Sequence, residues 1–244
     1  MKLKVMTYNI CGGNNFDTKK GVMNFDRTVE TIGGFAPDIC GLNEVDKYRA
    51  RSGYICESEV AGKALSMFDV FAPATQFGNA LYGNALLSKF PVRSYEVIPV
   101  PDPEDKSENT YYETRGILKA TLDCKTADIE VLVTHFGLAK TERAESVKLL
   151  VELIGGRKHP LILMGDFNLQ PSDPMLKPIS ALLHDTAEGY DIDHTWPSIE
   201  GMNNDPFQKI DYMFVSEEFT VDNVEIPETT ASDHLPYISY LTLK

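Results

Sequence analysis

Carboxylates, amides and imidazoles recur at the ends of otherwise apolar runs in this 244-residue chain. They are Asn9 in "TYNI", Glu44 in "LNEV", His135 in "VTHF", Asp166 and Asn168 in "MGDFN", Asp211 in "KIDYMF", and Asp233 with His234 in "ASDHLP". Each alone has an ordinary explanation, because Asn and Asp satisfy turn backbones and a lone histidine is more often a hydrogen-bonded core residue. The same chemistry at six run ends is harder to derive from turns. Open α/β sheets gather ligand sites outside the carboxyl ends of their strands, so these groups are expected to meet in one cleft. Carboxylate and amide oxygens without thiolates suit a hard ion, Mg²⁺ or Mn²⁺, better than structural zinc. Such an ion beside two histidines suits attack of water on phosphorus.

The elements that must position these groups are legible in outline. "KLKVMTYNI", "DICGLNEV", "YGNALLSKF", "TRGILKATL", "IEVLVTHF", "PLILMGDF", "KIDYMFVS" and "LPYISYLTL" read as strands, and their continuous apolarity predicts cover on both faces. "NFDRTVETIGGF" opens on Asn24 as a helix cap, and "TERAESVKLLVELIGG" opens on Thr141 and closes on Gly155 and Gly156. Strands interleaved with helices predict an α/β layered fold in a single domain over residues 1–244. "PVPDPEDKSEN", residues 99–109, reads as a surface loop or lid. "FDVFAPATQFGNALYG" reads as core and loop, not as a membrane-docking element.

Composition narrows the partners. With 43% hydrophobic residues a sizeable core is expected, and no apolar stretch is long enough to span a membrane. The N-terminus reads as a strand without a signal peptide, which predicts a cytoplasmic protein. Cys11, Cys40, Cys56 and Cys124 lack metal spacing and are expected as free thiols. A formal charge of −13 disfavours a nucleic-acid partner without forbidding one. A monomer acting on a phosphoester of unnamed identity is expected.

With these motifs assembled, the sequence resembles the endonuclease/exonuclease/phosphatase family, in which deoxyribonuclease I, abasic endonucleases, sphingomyelinases and inositol-polyphosphate phosphatases fall. The resemblance runs from "MTYNI" through "NEVD", "YGNALLS", "THFG", "GDFN" and "IDYMFVS" to "SDHLP". It implies a four-layer α/β sandwich, two packed mixed β-sheets flanked by helices, with the active site at one end. It implies a divalent-metal-dependent hydrolase of phosphoester bonds, with diesters expected. Glu44 resembles the principal metal ligand, with Asn9 and Asp233 completing or supporting the site. Asp166 and Asn168 resemble the pair that orients or deprotonates water and holds the phosphate. His234 resembles the histidine at the phosphoryl group, Asp211 its orienting partner, and His135 the residue that protonates the leaving oxygen. Either Asp166 or His234 could be the base.

Three further residues are candidates for substrate contact. Arg51 and Arg115 could each grip a phosphate in bidentate fashion or be ordinary ion-paired arginines. Trp196 in "DIDHTWP" would wall the cleft or pack the core, while Asp191, Asp193 and His194 read as a solvated loop edge. His159 and His184 are given no role. A DNA or RNA nuclease of the same family is the second reading, and a non-catalytic binding module the third. Four clustered carboxylates, Glu44, Asp166, Asp211 and Asp233, are expected to raise at least one pKa, and a bound divalent ion to raise the unfolding temperature.

Overall fold

Runs that are apolar at every position need cover on both faces, and the fold supplies it. The computed structural model describes residues 1–18, 20–200, 202 and 205–244. In chain order the elements are β1 (Lys2–Asn9), β2 (Asn14–Asn15), β3 (Val22–Met23), α1 (Phe25–Phe35), β4 (Ile39–Lys47), α2 (Glu57–Leu65), β5 (Phe68–Phe77), β6 (Ala80–Ser88), β7 (Val92–Pro99), β8 (Gly116–Asp123), β9 (Asp128–His135), α3 (Lys140–Gly155), β10 (Leu161–Asp166), α4 (Lys177–Ser180), β11 (His184–Asp185), β12 (Asp211–Val215), β13 (Phe219–Glu225) and β14 (Tyr237–Leu243).

Two six-stranded sheets run β13-β14-β1-β4-β6-β5 and β11-β12-β10-β9-β8-β7, and β2 pairs β3 in a small ladder. Each large sheet has one parallel pair at its centre, β1 with β4 and β9 with β10, flanked by antiparallel neighbours. Alternation then sorts the side chains. Leu3 and Val5 of β1 meet Ile162 and Met164 of β10 between the sheets. Met6 and Tyr8 point the other way, onto Val29 and Ile32 of α1. Leu161 and Leu163 pack on Val147, Leu150 and Ile154 of α3. The result is helix, sheet, sheet, helix, the four-layer sandwich that the sequence resemblance implies. Each such side chain fully withdrawn from water contributes roughly 1.5–3 kcal/mol.

Asn24 caps α1 through the Arg27 amide. α3 begins one residue before Thr141, at Lys140, and its first amides are satisfied from afar: Glu108 accepts from the Lys140 and Thr141 N–H groups at 3.1 Å each. The loop between β7 and β8, which holds the acidic Pro-rich stretch, is therefore pinned to the α3 N-terminus. Within the two large sheets, the strands missing from the sequence reading, β5, β7, β11 and β13, are the edges. Edge strands have less to bury, and β7 is exposed at most positions. "FDVFAPATQF", expected as core and loop, is β5. α2 escaped notice because it buries Glu57, Ser58, Ala61 and Gly62, not an apolar stripe. Among the described residues no helix is long and apolar enough to cross a membrane. Cys40, Cys56 and Cys124 are buried and Cys11 half-buried, all as free thiols.

Candidate active site

Asn9, His135 and Asp166 close β1, β9 and β10, as the motifs predict. Asp211 instead opens β12, and Asp233 and His234 precede β14. This corrects the expectation of carboxyl ends throughout. β12 and β14 run antiparallel to β10 and β1, so their beginnings lie at the same end of the sandwich, and Asp211 sits in register with Asp166. Glu44 reaches this end through a local distortion. The β4–β6 register shifts between Leu42 and Val45, and Glu44 has a φ of 58°, a bulge that re-aims one side chain. Gly165, at φ 144°, precedes Asp166; a Cβ there would lie 1.9 Å from the Thr134 carbonyl oxygen. Only glycine lets β9 and β10 approach so closely beneath the site.

The convergence is specific. Asn9 Nδ2 donates to Glu44 Oε1 and to Asp166 Oδ2, both at 3.1 Å, which joins the first sheet to the second. His234 Nδ1 lies 2.9 Å from Asp211 Oδ2, fixing the proton on that nitrogen, and its Nε2 lies 3.7 Å from Asp166 Oδ2. Arg115 Nη1 donates to His135 Nδ1 at 3.1 Å. That makes Nδ1 an acceptor and leaves the His135 proton on Nε2, 3.4 Å from Asp166 Oδ2. Asn168, left-handed at φ 49°, donates its amide N–H to Asp166 Oδ1 at 2.9 Å.

Beneath these groups lies a polar bridge that the motifs contained but did not reveal. Asn43 Oδ1 accepts from the Asp166 amide at 3.0 Å, while its Nδ2 donates to Asn84 Oδ1 and to the Thr134 carbonyl, both at 2.8 Å. Asn84 Nδ2 donates to the Gly116 carbonyl at 2.9 Å. The residue before Glu44 thus holds the backbone of Asp166, and both amides are buried. The signal was the pair of Asn residues inside "LNEV" and "YGNALLS", polar groups in strands that otherwise stay apolar.

Burial, reinforced by Asp211, raises the Asp166 pKa to about 7. Burial would discharge His234, yet the charge and hydrogen bond of Asp211, with Asp166 and Asp233, outweigh it and push its pKa to about 10. Burial lowers His135 well below the usual histidine range, with the Arg115 and His234 charges adding to it. The site therefore pairs a neutral imidazole with an imidazolium on two sides of one carboxylate. Burial, then the charge of Asp233, raises Glu44.

This donor set fits a hard divalent ion. Glu44 and Asp233 place two carboxylates close enough to raise the cost of ionising Glu44, a repulsion that a dication relieves. The Asn9 amide nitrogen faces Glu44 and Asp166, and its oxygen accepts the Cys11 N–H at 3.1 Å. In this orientation it bridges the two carboxylates. Asp166, Asp211 and His234 also lie within 4.8 Å of one another, but the Asp211–His234 hydrogen bond already occupies Nδ1.

A cavity of about 540 Å³ opens onto Glu44, His135, Asp166, Asn168, Asp233 and His234. Trp196 walls it, with Nε1 3.4 Å from Asp233 Oδ2, and Arg115 lines it. Tyr82, Tyr111 and Glu113 line it too, although no motif named them. His194, expected on a solvated loop edge, is buried and stacks on Phe207. The loop over 185–209 includes residues 201, 203 and 204, which lie outside the described set.

Arg51 is committed elsewhere: Nε and Nη2 make a bidentate pair with Asp46, at 2.7 and 2.9 Å. Asp46 N–H in turn donates to Glu57 Oε2 at 2.6 Å. Burial raises Glu57 to about 8, whereas an unfolded glutamate titrates near about 4.3. Folding therefore retains a proton between these values, and stability falls as pH rises through that window. Glu57→Gln keeps an acceptor and removes the penalty. Thermal unfolding across pH should show the variant melting above the parent at pH near 7.5, by about 2–4 °C per kcal/mol relieved, with the gap closed by about pH 4.5. A constant gap across that range would contradict the assignment.

The comparisons agree with this architecture. The family model described as Endonuclease/Exonuclease/phosphatase family matches residues 6–234. An endonuclease/exonuclease/phosphatase from Bacteroides vulgatus superposes with a TM-score of 0.79 at 20% identity, covering 100% of both chains. A mannosyl-6-phosphatase of Bacteroides thetaiotaomicron gives 0.75 at 21% identity, over 98% of this chain and 99% of that one. D. rerio TDP2, complexed with single-strand DNA product, gives 0.74 at 17% identity, over 99% of each. No curated protein sequence matches significantly.

Proposed function

The chain belongs to the endonuclease/exonuclease/phosphatase family, and on that premise we propose that it is a divalent-metal-dependent hydrolase of phosphoesters. The observation that carries the reading is the meeting of Glu44, Asp166 and His234 in one cavity, with Asp211 behind His234 and Asn9 bridging Glu44 to Asp166. The fold is shared with a phosphatase and with a protein seen on a DNA product, so it does not by itself choose a substrate.

Mg²⁺ or Mn²⁺, held by Glu44 and Asp233, would neutralise charge on the phosphate oxygens. Asp166 is the general base: its pKa near 7 matches the working range of such a group. Asn168 holds the Asp166 carboxylate through its backbone N–H. His234, whose charged form Asp211 favours through the Nδ1 hydrogen bond, presents Nε2–H to a phosphoryl oxygen. His135 is kept neutral, so its Nε2–H offers the departing oxygen a hydrogen bond. The water oxygen bonds to phosphorus, the ester P–O bond breaks with its electron pair going to the leaving oxygen, which departs as an alkoxide and takes its proton from solvent, and the water proton passes to Asp166.

The test is chromogenic. Bis-para-nitrophenyl phosphate and para-nitrophenyl phosphate should release nitrophenol with Mg²⁺ or Mn²⁺ and none with EDTA. Diester turnover faster than monoester turnover would support the expected diester preference. Absence of metal-dependent turnover of either ester counts against the reading.

A further inference from the structure

The charge around the cavity is unbalanced in a way the hydrolytic chemistry does not require. Among the described residues lining it, Arg115 is the one lysine or arginine, set against Glu44, Glu113, Asp166, Asp205 and Asp233. Glu44, Asp166 and Asp233 serve the reacting centre, where His234 faces them. Glu113 and Asp205 do not. Arg115 Nη1 is already taken by Glu113 Oε2 at 2.9 Å and by His135 Nδ1 at 3.1 Å. The charge that a second phosphate would need is therefore already paired with one carboxylate, although Arg115 Nε has no partner among the described residues.

Glu113 is also fixed in place. Its amide donates to Glu142 Oε1 at 2.9 Å, and Glu142 Oε2 accepts the Ala139 N–H at the start of α3. Glu108, in the same loop, accepts the next amides of that helix. The Glu113 side chain is 13% exposed. Through Arg115 it stands on the His135 side of the cavity, the side of the departing alcohol. Tyr111 and Leu138 give that side an exposed apolar surface.

Resting on the hydrolase reading above, we propose that Glu113 sets the substrate class: esters of a single phosphoryl group whose alcohol half bears no negative charge. A carboxylate or second phosphate on that half would lie against Glu113, in a cavity that Asp205 also lines and where Arg115, already paired with Glu113, is the one lysine or arginine among the described lining residues; a partly enclosed cleft screens like charges less than bulk water does. The cavity of about 540 Å³ falls in the range of small-molecule sites. Nucleic acids and polyphosphorylated molecules are rejected by the same charges.

The experiment compares kcat/KM for para-nitrophenyl phosphate and its ring-carboxylated analogue, with Mg²⁺ present. The wild type should favour the uncharged ring by at least about 10-fold, and added salt should narrow the margin. Glu113→Gln should reduce the preference by at least about 3-fold whatever its absolute rate, because the intrinsic reactivities of the two esters cancel between variant and parent. Asp205→Asn serves as the second variant, since Asp205 lines the cavity and its backbone N–H bonds the Met202 carbonyl; it should move the preference the same way. Equal efficiencies in the wild type, or a preference unchanged in both variants, would overturn the inference and leave the hydrolase reading standing. No metal-dependent turnover of either ester would remove both.

Discussion

Asp166→Asn is expected to lower kcat by about 10²–10⁴-fold while KM changes little, the range over which a positioned general base acts. The variant should still fold: burial makes the ionised Asp166 costly and an amide of the same shape keeps an acceptor for the Asn168 N–H, while the Asn9 hydrogen bond to Oδ2 is given up. Lost activity in a folded variant is the mark of a residue kept for chemistry. Steady-state kinetics with thermal unfolding on the same sample checks this. Activity within a few-fold of the parent would remove Asp166 as base and return the role to His234.

The second large effect concerns Glu44. The parent should gain stability from Mg²⁺ or Mn²⁺ by ordinary linkage, about 2.7 kcal/mol when the free ion stands at 100 times its Kd, which for a chain of this length is roughly 5–10 °C. Glu44→Gln should lose most of that gain together with turnover, because it removes one of the two carboxylates whose repulsion the ion relieves. Without metal the variant should melt no lower than the parent, since burial and Asp233 already disfavour the Glu44 charge. A full metal-dependent shift in Glu44→Gln would move the ion to other ligands, with the Asp166, Asp211 and His234 cluster next in line.

Much of the fold was legible because its central strands are buried on both faces: β1, β4, β9 and β10 announce themselves as apolar runs. The edges β5, β7, β11 and β13 were silent for the same reason, since they lack a second covered face. The site was legible where a polar group interrupts such a run, as at Asn9, Glu44, His135 and Asp166. Its directions were not, because sequence does not show which strands run antiparallel, so Asp211 and His234 read as endings when they are beginnings. Pairings were less visible still. Arg51 follows Glu44 closely in sequence yet gives both arms of its fork to Asp46. Glu113, in a loop without periodicity, owes its place to Glu142 on α3. Asn43 and Asn84 were quoted within motifs, and their role below Asp166 needed the packing of one sheet on the other.

The most direct measurement is the metal-dependent release of para-nitrophenol by the wild type beside Asp166→Asn and Glu44→Gln, each with Mg²⁺, with Mn²⁺ and with EDTA. Turnover by the wild type that vanishes with EDTA and falls by orders of magnitude in both folded variants is the predicted result. Turnover that persists in EDTA, or that survives in either variant, would contradict a metal-dependent hydrolase centred on these carboxylates.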